Sequence, residues 1–182
     1  EDRSVSNRVP NVFDPITGAK INPGLPATGS IPDQSESFKQ LEPKVSLSFT
    51  PNSNTNLYAN WGIGFKSGGF NNQGSSAIIN SNFNNGVTPG TISANVKIDD
   101  QYRKERSSAF EAGIKGTLFD NRVTFDIAGY YTRITDMQFF EFFVGAFGLL
   151  RVVSNIDKVD IYGIEFNANA EIVEGWDIFG SV

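Results

Sequence analysis

Two-residue alternation, connections sorted by length, and apolar bands bounded by charge together predict an all-β fold. The expected architecture is an antiparallel meander forming part of a large transmembrane β-barrel, as an open fragment of five strands and the start of a sixth. Leu57, Ala59, Trp61, Ile63 and Phe65 alternate with Tyr58, Asn60, Gly62, Gly64 and Lys66. That period sends successive side chains to opposite faces of a strand.

Composition narrows the class. With 182 residues the chain is long enough for one domain with a sizeable core. Its 16 Phe and 18 Gly suit strands, turns and aromatic belts better than helices. A net charge of -5 argues against a nucleic-acid partner, which would require a basic stripe. With no Cys and no His, disulfide scaffolding, thiolate chemistry, Ser–His and Cys–His mechanisms and His-ligated metals are closed. Paired carboxylates for glycoside hydrolysis stay open on composition, but no pair is singled out by spacing, and no catalytic residue, metal or cofactor is expected. No apolar run reaches the ~18 residues of a spanning helix, and the longest candidate, Phe142 to Leu150, is too short to cross. The N-terminal "EDRSVSNRVP" has no secretory-signal pattern, so a mature or excised segment is expected.

Along the chain, residues 1–35 are rich in Pro, Gly, Asn, Asp and Ser. They read as a loop-rich segment on the extracellular side, with a short strand over Ser4 to Val9. The sheet occupies 36–182. Leu41, Val45, Leu47 and Phe49 alternate with Lys44, Ser46, Ser48 and Thr50 before the turn "PNSN". The 57–66 strand follows, and Ser67 to Gln101 forms a long polar loop. Phe110, Ala112, Ile114, Gly116 and Leu118 mark the next strand, closed by "FDNR", whose Asp-Asn tolerates left-handed backbone. Val123, Phe125, Ile127, Gly129 and Tyr131 lead the return strand towards a tip near Gly145 to Gly148. Tyr162, Ile164, Phe166, Ala168, Ala170 and Ile172 come back to "VEGW", and Trp176, Ile178, Gly180 and Val182 begin a further strand.

A soluble sandwich would show the same alternation with its apolar face turned inward. Three features favour lipid. The turns at Pro51–Asn54, Phe119–Arg122 and Val173–Trp176 are short. Ser67–Gln101, the 1–35 region and the hairpin around Gly145 are long and lie at the other end, as in transmembrane barrels. Charge also bounds the apolar faces, at Arg106, Arg133 and Asp160. Between these limits each band covers roughly nine to eleven residues, enough for a tilted strand to cross hydrocarbon. A charge facing lipid near the midplane would cost about 2–4 kcal/mol. The opposite face carries Glu111, Lys115, Asp126, Glu165 and Glu171 among Ser, Thr, Asn and Gly, as a wet or plugged lumen requires. Aromatics gather at the band ends as a girdle, Tyr58 and Trp176 at one, Tyr131 and Tyr162 at the other.

Individual motifs carry little chemistry. Asp99 and Asp100 lack the spacing of a calcium loop and read as solvated. "GFKSGGFN" lacks the residue order of a phosphate loop, and its glycines read as letting the strand end bend and release the loop. Glu111 and Glu165 face either a ligand, a plug or solvent. Phe139, Phe140, Phe142, Phe143 and Phe147 form either an apolar rim for ligand capture or a hairpin packed on its barrel neighbours.

The wording of the sequence adds to its pattern. "PKVSLSFTPNSNTNLYANWGIGFKSGGFN" resembles the barrel of TonB-dependent outer-membrane receptors. "AFEAGIKGTLFDNRVTFDIAGYYTRITDMQ" looks like that family's following hairpin. "VDIYGIEFNANAEIVEGWDIFGSV" resembles the next strand pair, with Gly163, Ile164 and Glu165 as its signature. The likeness covers about residues 36–182, in order. Nothing in the chain resembles the family's N-terminal plug or TonB-contacting box, so a piece from the later part of a barrel of about 22 strands is expected.

The resemblance implies a bacterial outer-membrane location and energy-coupled import of a scarce solute, such as a ferric siderophore, cobalamin or an oligosaccharide. It implies four partners: membrane lipid, the plug of the same full-length chain, the TonB complex acting only through that plug, and the imported ligand. Candidate ligand contacts are Phe70, Asn71, Asn72 and Phe83 in the long loop and Phe139, Phe140 and Phe147 in the hairpin. The competing class is a soluble β-sandwich adhesin or carbohydrate-binding module, which would stay monomeric without detergent. An outer-membrane enzyme is a third class, its lipase form disfavoured by the absence of His.

Overall fold

The computed structural model describes residues 1–5, 34–71, 79, 83–84, 96–145 and 148–182. They fall into two units. The sheet unit comprises Gln40–Phe65, Arg106–Thr135 and Lys158–Val182, and the loop unit Glu1–Lys39, Lys66–Glu105 and Asp136–Asp157.

Ten strands are described: β1 (Asp2–Val5), β2 (Gln34–Ser37), β3 (Lys44–Asn52), β4 (Thr55–Lys66), β5 (Gly69–Phe70), β6 (Gln101–Tyr102), β7 (Glu105–Leu118), β8 (Val123–Gly145), β9 (Gly148–Val173) and β10 (Trp176–Ser181). Six of them form one sheet in the order β10-β9-β8-β7-β4-β3. The order follows the chain, as a meander requires, because each tight turn returns a strand beside its predecessor. At the β7–β8 turn Phe119, Asp120 and Asn121 all take positive φ, at 54°, 54° and 68°. Arg122 N–H donates to Phe119 O across 3.1 Å to close it. Asp120 and Asn121 tolerate that backbone, whereas Phe119 is a less usual occupant.

Register carries the alternation from strand to strand. Val45 stands opposite Trp61, Leu47 opposite Ala59 and Phe49 opposite Leu57. Phe110 faces Tyr131, Ile114 faces Ile127 and Leu118 faces Val123. Ile178 faces Ala170. Contacts between side chains extend the same face across the sheet. Trp61 Nε1 donates to Ser108 Oγ at 3.1 Å, and Tyr131 Oη and Arg133 Nε both donate to Asp160 Oδ1 at 2.8 Å. Within this unit the apolar face is uncovered: Leu47 is 68% exposed, Phe110 49% and Ile164 77%. A soluble sandwich hides such a face behind a second sheet, and the six-stranded sheet has no partner sheet in its own unit.

Several expectations need adjustment. The early strand spans Asp2–Val5 and pairs antiparallel with Gln34–Ser37, while the rest of the expected Ser4–Val9 segment lies outside the described residues. The Ser67–Gln101 loop is tied at its ends, with Gly69 opposite Tyr102 and Phe70 opposite Gln101. Tyr58 does not join the aromatic girdle. Its ring lies on the polar face, with Lys115 Nζ 5.3 Å from its centroid. A Cβ on Gly113 would lie 2.6 Å from the Tyr58 hydroxyl, so glycine makes room for the ring. The glycines of "KSGGFN" also serve close approach. A Cβ on Gly68 would lie 2.5 Å from Phe38 and from Tyr102 O, and one on Gly69 would lie 2.4 Å from the Tyr102 hydroxyl.

Candidate solute-facing surfaces

The polar face of the sheet unit is built around β7 and β8. Lys115 stands opposite Asp126 in the register, and its Nζ lies 2.9 Å from Asp126 Oδ2. Asp126 Oδ1 is buried and has no hydrogen-bond partner among the described residues. Tyr58, Glu111, Lys115, Asp126 and Glu165 line one recess of about 680 Å³ on this face. Four of the five residues expected on the polar face are thereby brought together. Glu171 stands apart, opposite Asp177 in the β9–β10 pair, so two like charges face each other there.

The loop unit has its own small core of Ile79, Ile98 and Val152, with Phe83, Val96, Phe143 and Leu150 packed against it. Phe83 and Phe143 meet edge to face at 5.4 Å. Asn71, buried at 6% exposure, fastens the loop to β9. Its Nδ2 donates to Asp99 O and to Val153 O, both at 2.8 Å, and its Oδ1 accepts from Val153 N–H at 2.7 Å. The amide thus imitates a strand's backbone against Val153.

A second polar knot holds the feet of the hairpin. Arg103 Nε donates to Asp136 Oδ1 at 2.8 Å, Asn155 Nδ2 to Asp136 O at 2.7 Å, and Gln138 Nε2 to Ser67 O at 2.7 Å. The hydrogen bond to the Asp136 carboxylate raises the Arg103 pKa above its ordinary value. Asp136 itself takes a positive φ of 54°, an uncommon conformation for a non-glycine residue.

These contacts sort the candidate ligand residues. Asn71 and Phe83 are committed to holding the loop. Phe139 and Phe140 are 49% and 46% exposed, as is their neighbour Phe142 at 62%, and Arg151 lies over the Phe140 ring at 4.3 Å. Phe70 is half-buried in β5. Asn72 and Phe147 lie outside the described residues. Asp99 supplies backbone oxygen to Asn71, and no acidic cluster suited to a metal occurs among the described residues. The Arg103–Asp136–Asn155 knot was not read from the sequence, because single polar residues flanking strands carry no period. Arg103 and Asp136 each lie three residues beyond Arg106 and Arg133, the charges that bound the apolar bands, and that is the signal that points to them.

At one end of the apolar band sits a third polar group. Asp160 accepts from Arg133 Nε and Tyr131 Oη, and Lys158 Nζ approaches it at 3.3 Å. Asp160 and Arg133 lie beyond the apolar band, and the Arg133 hydrogen bond, followed by that of Tyr131, lowers the Asp160 pKa to about 2.

Residues 16–182 match the family model of the TonB-dependent receptor-like β-barrel. The chain belongs to that family. Barrels of TonB-dependent receptors are outer-membrane proteins. Among solved structures, the copper transporter OprC is 17% identical with a TM-score of 0.55, and the match covers 98% of this chain and 24% of that one. This likeness shows the shared fold. The ferric yersiniabactin uptake receptor FyuA from Yersinia pestis is 23% identical, with a TM-score of 0.49 and coverage of 85% of this chain and 19% of that one. The siderophore receptor PirA from Acinetobacter baumannii is 13% identical, with a TM-score of 0.45 and coverage of 77% and 22%. The TonB-dependent receptor segment thus spans between 19% and 24% of the length of these structures. No curated protein matches it.

Proposed function

We propose that this chain forms part of the barrel of a receptor that imports a scarce solute across the bacterial outer membrane by energy coupling. The solute class is that of a ferric siderophore, cobalamin or an oligosaccharide. The observation that carries the reading is the family match over 16–182 on a sheet with one apolar and one polar face. The plug of the full-length chain fills the lumen against residues such as Glu111 and Glu165, and the TonB complex acts through that plug. None of the residues acts as a catalyst.

Ligand contact falls to the 136–158 hairpin and the exposed part of the 67–101 loop, with Phe139 and Phe140 as the apolar contacts. The exposed Phe140 ring, with the Arg151 guanidinium over it, suits a bulky solute with aromatic or anionic groups. Phe70, Asn72 and Phe147 complete the set, while Asn71 and Phe83 support it from behind.

The test is uptake by cells carrying the full-length receptor, supplied with radiolabelled ferric siderophore, cobalamin or oligosaccharide. Accumulation of one of them that stops when the proton-motive force is collapsed is the expected result. Accumulation unaffected by that collapse, or of none of the three, contradicts the proposal.

A further inference from the structure

The polar face of the sheet unit carries a second recess, at the end where the tight turns lie. Residues of β3, β4, β7, β8, β9 and β10 line it, and its volume is about 700 Å³. Small-molecule sites fall in the range of about 300–1,000 Å³. Asn169 stands opposite Phe179, and Asn167 opposite Ser181, in the β9–β10 pair. Two-residue steps put these four side chains on the face of Lys115 and Asp126, with which they share the recess.

Phe179 is out of place among amides and hydroxyls, and it is 83% exposed. The carboxamides beside it are unspent. Among the described residues, the Asn167 and Asn169 side chains make no hydrogen bond, so each presents a free donor and a free acceptor. Asn56 accepts from Ser48 Oγ at 2.8 Å through its Oδ1 and keeps its Nδ2. Among the described residues that line the recess, only Lys115 and Asp126 are ionisable, and they pair at 2.9 Å. The lining is therefore neutral as a whole.

These features set three demands on an occupant. It has to be uncharged, because a charged one leaves water without finding a free counter-ion. It has to bring groups that donate and accept side by side, to match the carboxamides. It also has to bring an apolar surface for the ring. A sugar meets all three. Its neighbouring hydroxyls match the oxygen and nitrogen of one carboxamide, and the C–H face of its ring lies flat on an aromatic.

We propose that Asn167, Asn169 and Phe179 form a subsite for a neutral oligosaccharide at the tight-turn end of the barrel's inner face. The subsite rests on the receptor reading above, in which the polar face lines the barrel interior. It selects a neutral, hydroxyl-rich solute from the classes considered there. It is also separate from the contacts assigned to Phe139 and Phe140.

The test uses the full-length receptor in an amine-oxide detergent, which carries no sugar. Phe179 is replaced by 4-trifluoromethylphenylalanine, so that one fluorine resonance reports on this ring alone. Maltotriose, cellotriose and mannotriose are the neutral probes, and gluconate is the anionic one. At least one trisaccharide should shift the resonance saturably at millimolar concentration, and gluconate should leave it in place. Each carboxamide removed costs about one neutral hydrogen bond. N169A should therefore raise the midpoint about threefold, and N167A/N169A about tenfold. Ser46→Ala, opposite Asn60 in the β3–β4 pair and outside the recess, should leave it unchanged. Heat-modifiable mobility checks that each variant is folded, and the titration of the labelled receptor stands without any of them.

A resonance that none of the three trisaccharides shifts overturns the proposal and marks a ring covered by another part of the chain. An equal shift by gluconate, or equal midpoints with and without N169A, also overturns it. Energy-dependent uptake alongside an unshifted resonance removes the subsite and leaves the receptor reading standing. A saturable shift without such uptake keeps the subsite and removes the receptor reading.

Discussion

Lys115 Nζ lies 2.9 Å from Asp126 Oδ2 across the β7–β8 pair, with the Tyr58 ring 5.3 Å from the same ammonium. The pair holds β7 and β8 together on the polar face of a wall whose other face carries Ile114 opposite Ile127. One residue of register slip would exchange the two faces completely. The pair is about half exposed at Lys115, so solvent screening keeps its direct contribution small.

Removing the ammonium has a second effect, because Asp126 Oδ1 is already buried without a partner. Lys115→Met leaves both carboxylate oxygens unpaired, and should cost about 1–3 kcal/mol in urea unfolding of the full-length barrel. Adding Asp126→Asn should recover part of that loss. A double variant as unstable as the sum of the singles would show that the two groups do not interact.

Lipid contact predicts a sharp asymmetry between neighbouring positions on β8. Ile127 is on the apolar face, and Thr124 pairs with Thr117 on the other. Ile127→Arg should destabilise the folded barrel by about 2–4 kcal/mol, and Thr124→Arg by much less. Assembly of the full-length receptor into outer membranes, read by heat-modifiable mobility, makes the comparison. Equal defects would count against the facing assignment.

The glycine beneath Tyr58 is constrained on two sides. A Cβ at Gly113 would lie 2.6 Å from both the Tyr58 hydroxyl and Ile127 O. Because one of those neighbours is backbone, Gly113→Val should displace the β7–β8 pair and destabilise by about 1–3 kcal/mol. Tyr58→Ala alone does not relieve the backbone clash, so the double variant should stay destabilised. Full rescue in thermal unfolding would contradict this geometry.

In the loop unit, Asn71→Ala removes the hydrogen bonds to Asp99 and Val153. The Val153 amide should then exchange its hydrogen at least about fivefold faster, as expected for a local loss of about 1–3 kcal/mol. Barrel folding should be unaffected, because Asn71 and Val153 belong to the loop unit. An unchanged exchange rate would remove Asn71 from its clamping role.

The wall was legible in the sequence because a two-residue period, once pinned by the Phe119–Arg122 and Val173–Trp176 turns, fixes both register and facing. The positions of Ile114, Ile127, Phe110 and Ile164 follow from that alone. Tyr58 was misplaced as a girdle aromatic because band ends were judged by height along the strand. Parity places it beside Lys115, among the polar residues. In the loop unit the period fails. Whether Phe83 faces solvent or packs on Ile98 and Val152 depends on contacts between segments far apart in the chain, and a local pattern does not encode them. Asn71 looked like an adaptable surface donor for the same reason.

In the proposed receptor, one face of this sheet meets lipid and the other the barrel interior. The segment has no cysteine, which allows single cysteines to be placed and spin-labelled in turn at positions 124–130. The most direct measurement is the accessibility of each label to oxygen and to a water-soluble nickel chelate, with the full-length receptor in liposomes. A two-residue period is expected, with oxygen favoured at Phe125, Ile127 and Gly129 and low at Thr124, Asp126 and Ala128. Nickel accessibility should vary in the opposite phase. Labels at Phe125 and Ile127 that are shielded from both reagents, or open to nickel, would contradict it.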